Sequence, residues 1–280
     1  MHPLVHLLVL SQFAPLVGQA SIKGLVDKAM ADGMPGIALT DHGAMFGIKE
    51  FYDYVSKKNA PLLGERKDLA KQISALEAQE ARTAEEEARL EELRTQLAAA
   101  EARPLFKPIL GCEVYCARRS RFKKDANVPN PYRPNQSVDN SGWHLVLLAK
   151  DLTGYKNLIK LVSLAWTEGF YRNPRIDKEL LVSYHEGLIV SSACLGGEIP
   201  QLIMAGRQDK AEESLLWFKN LFGEDFYLEL QRHETHAADA DTTTYPKQVE
   251  VNRVLIELAR KYDVKLLATN DAQFVNEDDD

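Results

Sequence analysis

Apolar residues gather in short runs rich in β-branched side chains: VHLLVLS (5–11), GIALTD (36–41), KPILGCEVYC (107–116), HLVLLAK (144–150), GLIVSSAC (187–194), FYLELQR (226–232) and KLLATND (265–271). Runs this short and this continuously apolar predict strands covered on both faces. Between them apolar positions recur at helical spacing. SIKGLVDKAMADG sets Ile22, Leu25, Val26 and Met30 on one face, with Ser21 as N-cap and Gly33 as stop. FGIKEFYDYVSKKN, TGYKNLIKLVSLAWTEG, KAEESLLWFKNLFG and YPKQVEVNRVLIELARKYD follow the same rule. Strand and helix in alternation predict a parallel sheet, here an α/β barrel in a single domain over 1–280. Reactive groups of such barrels collect at the carboxyl ends of the strands, where the polar endings TDHG, SSAC and ATND fall.

Two segments break the rhythm. Residues 64–103 are rich in Ala, Glu, Leu and Arg, with Leu69, Ile73 and Leu76 on one face and Leu90, Leu93 and Leu97 on another. Thr83 followed by Glu86 is a capping-box pattern that starts a second helix, so the segment reads as an inserted helical hairpin, either a solvated spacer or a partner-binding arm. Residues 118–142 combine Arg118, Arg119, Arg121, Lys123, Lys124 and Arg133 with prolines and asparagines, which predicts a long irregular loop. Its charge, with Phe122 and Tyr132, makes it a candidate contact for nucleic acid; a mobile solvated loop is the plainer reading.

Composition narrows the class. With 45% hydrophobic and 27% charged residues the chain is globular. A net charge of −7 argues against coating nucleic acid by charge alone, so any DNA contact is local. Cys112, Cys116 and Cys194 are too few for a disulfide scaffold and fit a reducing compartment. No long apolar run and no positively charged leader is present, so neither a membrane span nor secretion is indicated, and the cytoplasm is the expected location. The acidic NEDDD after a strand-like run suggests a piece of a longer chain.

Groups suited to metal coordination mark the ends or starts of several runs: Asp41, His42, Glu113, His144, Cys194, His233 and Asp271. Imidazole, thiolate and carboxylate are what zinc or manganese accept, and bound metals activate water against phosphoesters. Singly, His144 reads as a satisfied core histidine and Cys194 as a small buried hydrophobe. Together on successive strands they read as a site.

VHLLVLSQFAPLVG, GIALTDHGAMFG, ILGCEVY, HLVLLAKDLTGYKNLIKLVS, LIVSSACLGGEIPQ, FYLELQRH and LLATNDAQF resemble the successive motifs of the polymerase and histidinol phosphatase (PHP) domain. More narrowly they resemble the N-terminal PHP domain of the bacterial DNA polymerase III alpha subunit. The resemblance implies a distorted seven-stranded (β/α) barrel which, in active members, holds three metal ions and hydrolyses phosphoesters, in polymerases as a 3′–5′ proofreading exonuclease. It also implies packing against polymerase palm and thumb domains, DNA in the holoenzyme and, in some members, a docked proofreading exonuclease subunit.

Carried over position by position, the ligand set is incomplete. Leu8, Leu10 and Val17 stand where the first motif has His-x-His and a later acid or histidine, and Gln273 replaces the last histidine. The resemblance leaves Glu113 and Asp271 to a first ion, Glu113, His144 and Cys194 to a second, and His42 alone to a third. At most one zinc or manganese ion is then expected. Leu8 and Leu10, with His6 of the same parity, should form an apolar wall inside the barrel. Glu113 and Asp271, left near each other, should take up a proton or a donor such as His42. The expected function is a catalytically silent scaffold; the alternative is a residual phosphoesterase or exonuclease on Glu113, His144 and Cys194.

Overall fold

The computed structural model describes residues 5–14, 20–235, 242–272 and 275. In chain order come α1 (Ile22–Ala31), β1 (Gly36–Leu39), α2 (Ile48–Glu77), α3 (Ala84–Ala102) and β2 (Lys107–Ala117). Next are β3 (Pro129–Asn130), β4 (Arg133–Ser137), β5 (Gly142–Ala149), α4 (Leu152–Thr167), β6 (Arg175–Ile176), α5 (Lys178–Ser183) and β7 (Leu188–Ser191). Then follow α6 (Glu198–Met204), α7 (Gln208–Phe222), β8 (Phe226–Gln231), α8 (Thr244–Tyr262) and β9 (Lys265–Thr269).

The strands form one curled sheet in the order β1-β2-β5-β7-β8-β9, with β6 beside β2. It is mixed, not parallel as the alternation alone predicts. β5 runs antiparallel to both β2 and β7, while β1–β2, β7–β8 and β8–β9 are parallel. The cause is the connection between β2 and β5. It holds no crossover helix, only the small β3–β4 sheet, so the chain re-enters from the end at which it left. The start of β5 therefore lies at the same mouth as the ends of the parallel strands, which is why a site residue such as His144 sits at a strand start.

The first apolar run is extended but makes only an isolated bridge, Val9 to Ala272. Leu10 N–H donates to Ala272 O (3.0 Å), Ala272 N–H to Leu8 O (3.1 Å), Ala38 N–H to His6 O (3.0 Å) and Thr40 N–H to Val9 O (3.0 Å). Those bonds join the segment to β1 on one side and to the chain just after β9 on the other, closing the curl into a distorted barrel.

Helices cover the outside. Val26, Phe51 and Val55 pack with Leu39, and Leu158, Leu215, Phe218 and Leu255 pack with Leu147, Val190 and Leu228. Inside, Leu8, Ala38, Val146, Leu148 and Ala193 fill the barrel. Helix starts follow sequence: Ser21 Oγ accepts from Gly24 N–H (3.1 Å) and the Asp151 carboxylate from Gly154 N–H (2.8 Å). Position 154 has room for no side chain, since a Cβ there would lie 1.7 Å from Gly187 O.

Two boundaries differ from the sequence reading. The hairpin's first helix does not begin at 64: α2 runs unbroken through Pro61 and Gly64, because the apolar phase of Val55, Leu62, Leu69, Ile73 and Leu76 continues across them. α3 returns antiparallel, its Thr83–Glu86 capping box formed, and Leu90, Leu93 and Ala100 close a core separate from the barrel's. Residues 118–142 are also more ordered than an irregular loop. The fully buried Arg175 donates to the carbonyls of Gly169, Arg121, Lys123 and Asp139 and gathers the segment around itself.

Candidate metal centre

At the barrel mouth His144 Nδ1 lies 3.1 Å from Glu113 Oε1, and Cys194 Sγ lies 3.4 Å from that nitrogen and 3.8 Å from that oxygen. His42 Nδ1 stands 3.8 Å from Glu113 Oε2. Local backbone explains the convergence. Ala193 adopts φ +57°, turning the chain sharply after β7, and His144 N–H donates to Gly196 O (3.0 Å), holding the Cys194 loop against β5. A Cβ on Gly196 would lie 2.8 Å from His144 Nδ1, so only glycine lets the loop approach this closely. Gly196 N–H also donates to Cys194 Sγ (3.3 Å).

These separations test whether an ion fits. Ligands bonded at about 2.0–2.3 Å in a tetrahedron lie roughly 3.3–3.7 Å apart, close to what the Glu113, His144 and Cys194 atoms show, so they form one face of such a site. His42, Glu113 and His144 also offer donor atoms within 4.8 Å of one another. His42 Nε2 is buried with no hydrogen-bond partner. Burial, with help from His144 and against the pull of Glu113, holds the His42 pKa near 4, so the ring is the neutral ligand form at pH 7. The donor set fits one ion.

Of the proton or neighbouring donor expected at this pair of acids, Glu113 has neighbouring donors, His144 and Cys194. Burial works to raise its pKa, but His42, His144 and the Cys194 thiol together hold it below the ordinary carboxylate value. Burial, reinforced by Glu113, pushes the Cys194 thiol well up, so the sulfur is the proton carrier of the cluster. Asp271, at φ +48°, lies near enough that its charge also raises that thiol.

Other expected residues serve elsewhere. Asp41 is engaged away from the cluster: its carboxylate accepts from Ser11 N–H and Ser11 Oγ. His6 does not share the interior with Leu8; the 5–11 segment is not a regular strand, and His6 lines a small cavity beside Leu25, Lys28 and Asp32 of the α1 side. His233 is bound through Nε2 to Asn270 O (3.0 Å) and through Nδ1 to Gln248 (3.0 Å), tying β8 to the end of β9. Leu8 and Leu10 are buried, at 1% and 2% exposure. Val17 and Gln273 lie outside the described residues.

Three of the six basic residues of the 118–142 segment are engaged within the fold. Arg121 is buried against Asp177 (3.0 Å) and Glu168 (2.9 Å), Arg119 pairs with Asp139, and Arg118 donates to the carbonyls of Val138, Ser141 and Gly142 over the Trp143 ring. These arginines hold the segment together. Lys123 and Lys124 remain exposed, and the Arg133 side chain is outside the described residues.

Two site residues escaped the sequence reading. Tyr115 stacks on His42 at 4.3 Å and meets the His144 ring edge-on at 5.4 Å; its position two residues after Glu113 on one strand was the available signal. Glu229, buried in β8, accepts from Ser191, Thr269 and Gln231, and an acid inside the apolar FYLEL could have pointed to it.

The profile of the PHP domain matches residues 6–233. The chain is 38% identical over 275 residues to a DNA polymerase III subunit alpha of Borreliella burgdorferi, covering 98% of this chain and 18% of that protein. It is 36% identical over 276 residues to the subunit of that name from Thermus aquaticus, covering 98% and 17%. The chain thus spans less than a fifth of these curated relatives. A solved structure described as a metal-dependent phosphoesterase of Bifidobacterium adolescentis superposes with a TM-score of 0.45 at 11% identity, over 98% of this chain and 88% of that one. No helix among the described residues is long and apolar enough to cross a membrane. The profile match covers well over half of the chain, which folds as a mixed sheet curled into a distorted barrel, and the chain belongs to the PHP domain family.

Proposed function

We propose that the chain is a catalytically silent PHP domain serving as a scaffold in the alpha subunit of a bacterial DNA polymerase III. The observation that carries this reading is the burial of Leu8 and Leu10, aliphatic side chains where the resemblance implies imidazoles. A leucine has no lone pair, yet its volume keeps the segment packed while coordination is lost. Asp271 and His42 are then remnants of ligand sets that no longer close. In the full-length protein the partners are the polymerase palm and thumb, DNA and a proofreading exonuclease subunit, in the cytoplasm.

A second reading is favoured by the near-tetrahedral spacing of Glu113, His144 and Cys194: one zinc or manganese ion retained there, and with it residual phosphoesterase or 3′–5′ exonuclease action. A bound ion supplies a Lewis acid at that point, whereas clamping both the attacking and the leaving oxygen takes two. Metal analysis of the purified chain, followed by a primer 3′-end assay in Mn²⁺ with Glu113→Ala as control, separates the two. No ion or one, with no cleavage above that control, is the expected result. Three ions per chain, or cleavage that the control abolishes, would overturn the silent reading.

A further inference from the structure

The outer face of α4 carries a seam that nothing covers among the described residues. Leu152, Ile159 and Trp166 stand seven residues apart along it and are between 41% and 66% exposed. Lys156 and Ser163 lie between them, so the exposed stripe alternates apolar anchors one heptad apart with polar positions. The seam continues past the helix end. Trp166 stacks on Phe170 (5.5 Å) and touches Phe46 (5.8 Å), both also exposed, while Trp166 Nε1 donates to Gly43 O (2.9 Å) and fixes the ring at the barrel rim.

Its charge is one-sided. Lys156 and Lys160 lie along one side of the apolar positions and have no ion-pair partner among the described residues, and no acid occurs between Leu152 and Thr167. In a chain of net charge −7 that is a local reversal. A purely solvated helix would carry both signs on its outer face; an apolar seam edged only by lysine suits a partner with apolar anchors edged by carboxylates.

We propose that this face of α4 docks an acidic amphipathic helix of a protein partner, with Leu152, Ile159 and Trp166 as anchors and Lys156 and Lys160 setting its direction. At 1.5 Å per residue the seam is about 21 Å long, room for some four turns of the partner. The inference does not depend on whether the barrel mouth holds an ion.

The test uses the 280-residue chain and a labelled synthetic helix carrying leucine at heptad spacing and glutamate beside it, with a scrambled control, read by fluorescence anisotropy. Saturable binding is expected. Ile159→Asp should weaken it roughly tenfold or more. Lys156→Glu/Lys160→Glu should do the same and transfer preference to a lysine-edged version of the peptide, while Leu216→Asp on α7 leaves binding unchanged. Circular dichroism melts establish that each variant is folded. Equal binding of the scrambled peptide, no binding at all, or an oligothymidylate that binds through the same residues in preference to the acidic helix would overturn the proposal.

Discussion

Ser11 gives both of its donors to Asp41: the backbone N–H lies 2.6 Å from Oδ1 and the hydroxyl 2.9 Å from Oδ2, with both residues buried. Together with Thr40, whose Oγ1 accepts from Val9 N–H at 2.8 Å, this clasps the closing segment onto β1. Asp41→Ala would strand two buried donors, at a cost of about 2–4 kcal/mol. Urea unfolding measures it. Asp41→Asn, which keeps an acceptor, should lose about half as much.

The strand positions were legible because continuous apolar runs leave the chain few ways to be buried, and six of the seven runs became sheet strands. The direction of β5 was not, because it depends on a connection without a crossover helix and not on the strand's own residues. That Glu113, His144 and Cys194 share a site was legible from their places at the ends and starts of strand runs, but their grouping as one ligand set came from the family motifs, since spacing of 31 and 50 residues says nothing of distance. The roles of Asp41 and His233 were hidden for a related reason: a ligand-type side chain and a structural clasp look alike until their partners are in place.

The hairpin should be separable from the barrel. Its core of Leu69, Ile73, Leu90 and Leu93 is its own, and its base is pinned by Asn59, which donates to Phe106 O (2.9 Å) and accepts from Phe106 N–H (3.0 Å). Replacing the segment beyond Leu62 with a short loop that rejoins at Pro104 should leave a cooperative thermal transition. Asn59→Ala should cost about 1–3 kcal/mol by unfolding in urea.

Glu229 predicts a pH dependence. Burial raises its pKa above the ordinary glutamate value, and the bonds from Ser191, Thr269 and Gln231 offset this only in part. The folded chain then holds a proton on Glu229 at pH values where the unfolded chain has lost it. Stability from this group is full below the ordinary glutamate pKa and falls as pH rises through the raised one. Glu229→Gln should remove that fall, so that denaturant midpoints across the window from the ordinary to the raised value change less than in the parent chain.

If leucine at 8 and 10 is what keeps a larger metal cluster from forming, returning imidazoles should show it. Leu8 sits among Ala38, Val146, Leu148 and Ala193, so Leu8→His/Leu10→His places polar rings in an apolar interior and should cost about 2–5 kcal/mol in chelator. Zinc should return part of that loss, because ions that bind only the folded chain stabilise it by mass action. The expected result is a zinc-induced rise in melting temperature larger than that of the parent, with more than one ion per chain. A Cys194→Ser version of the parent should meanwhile bind its ion more weakly by about tenfold or more. An equal zinc response in the double variant and the parent would mean that the missing ligands at 8 and 10 are not what limits metal binding.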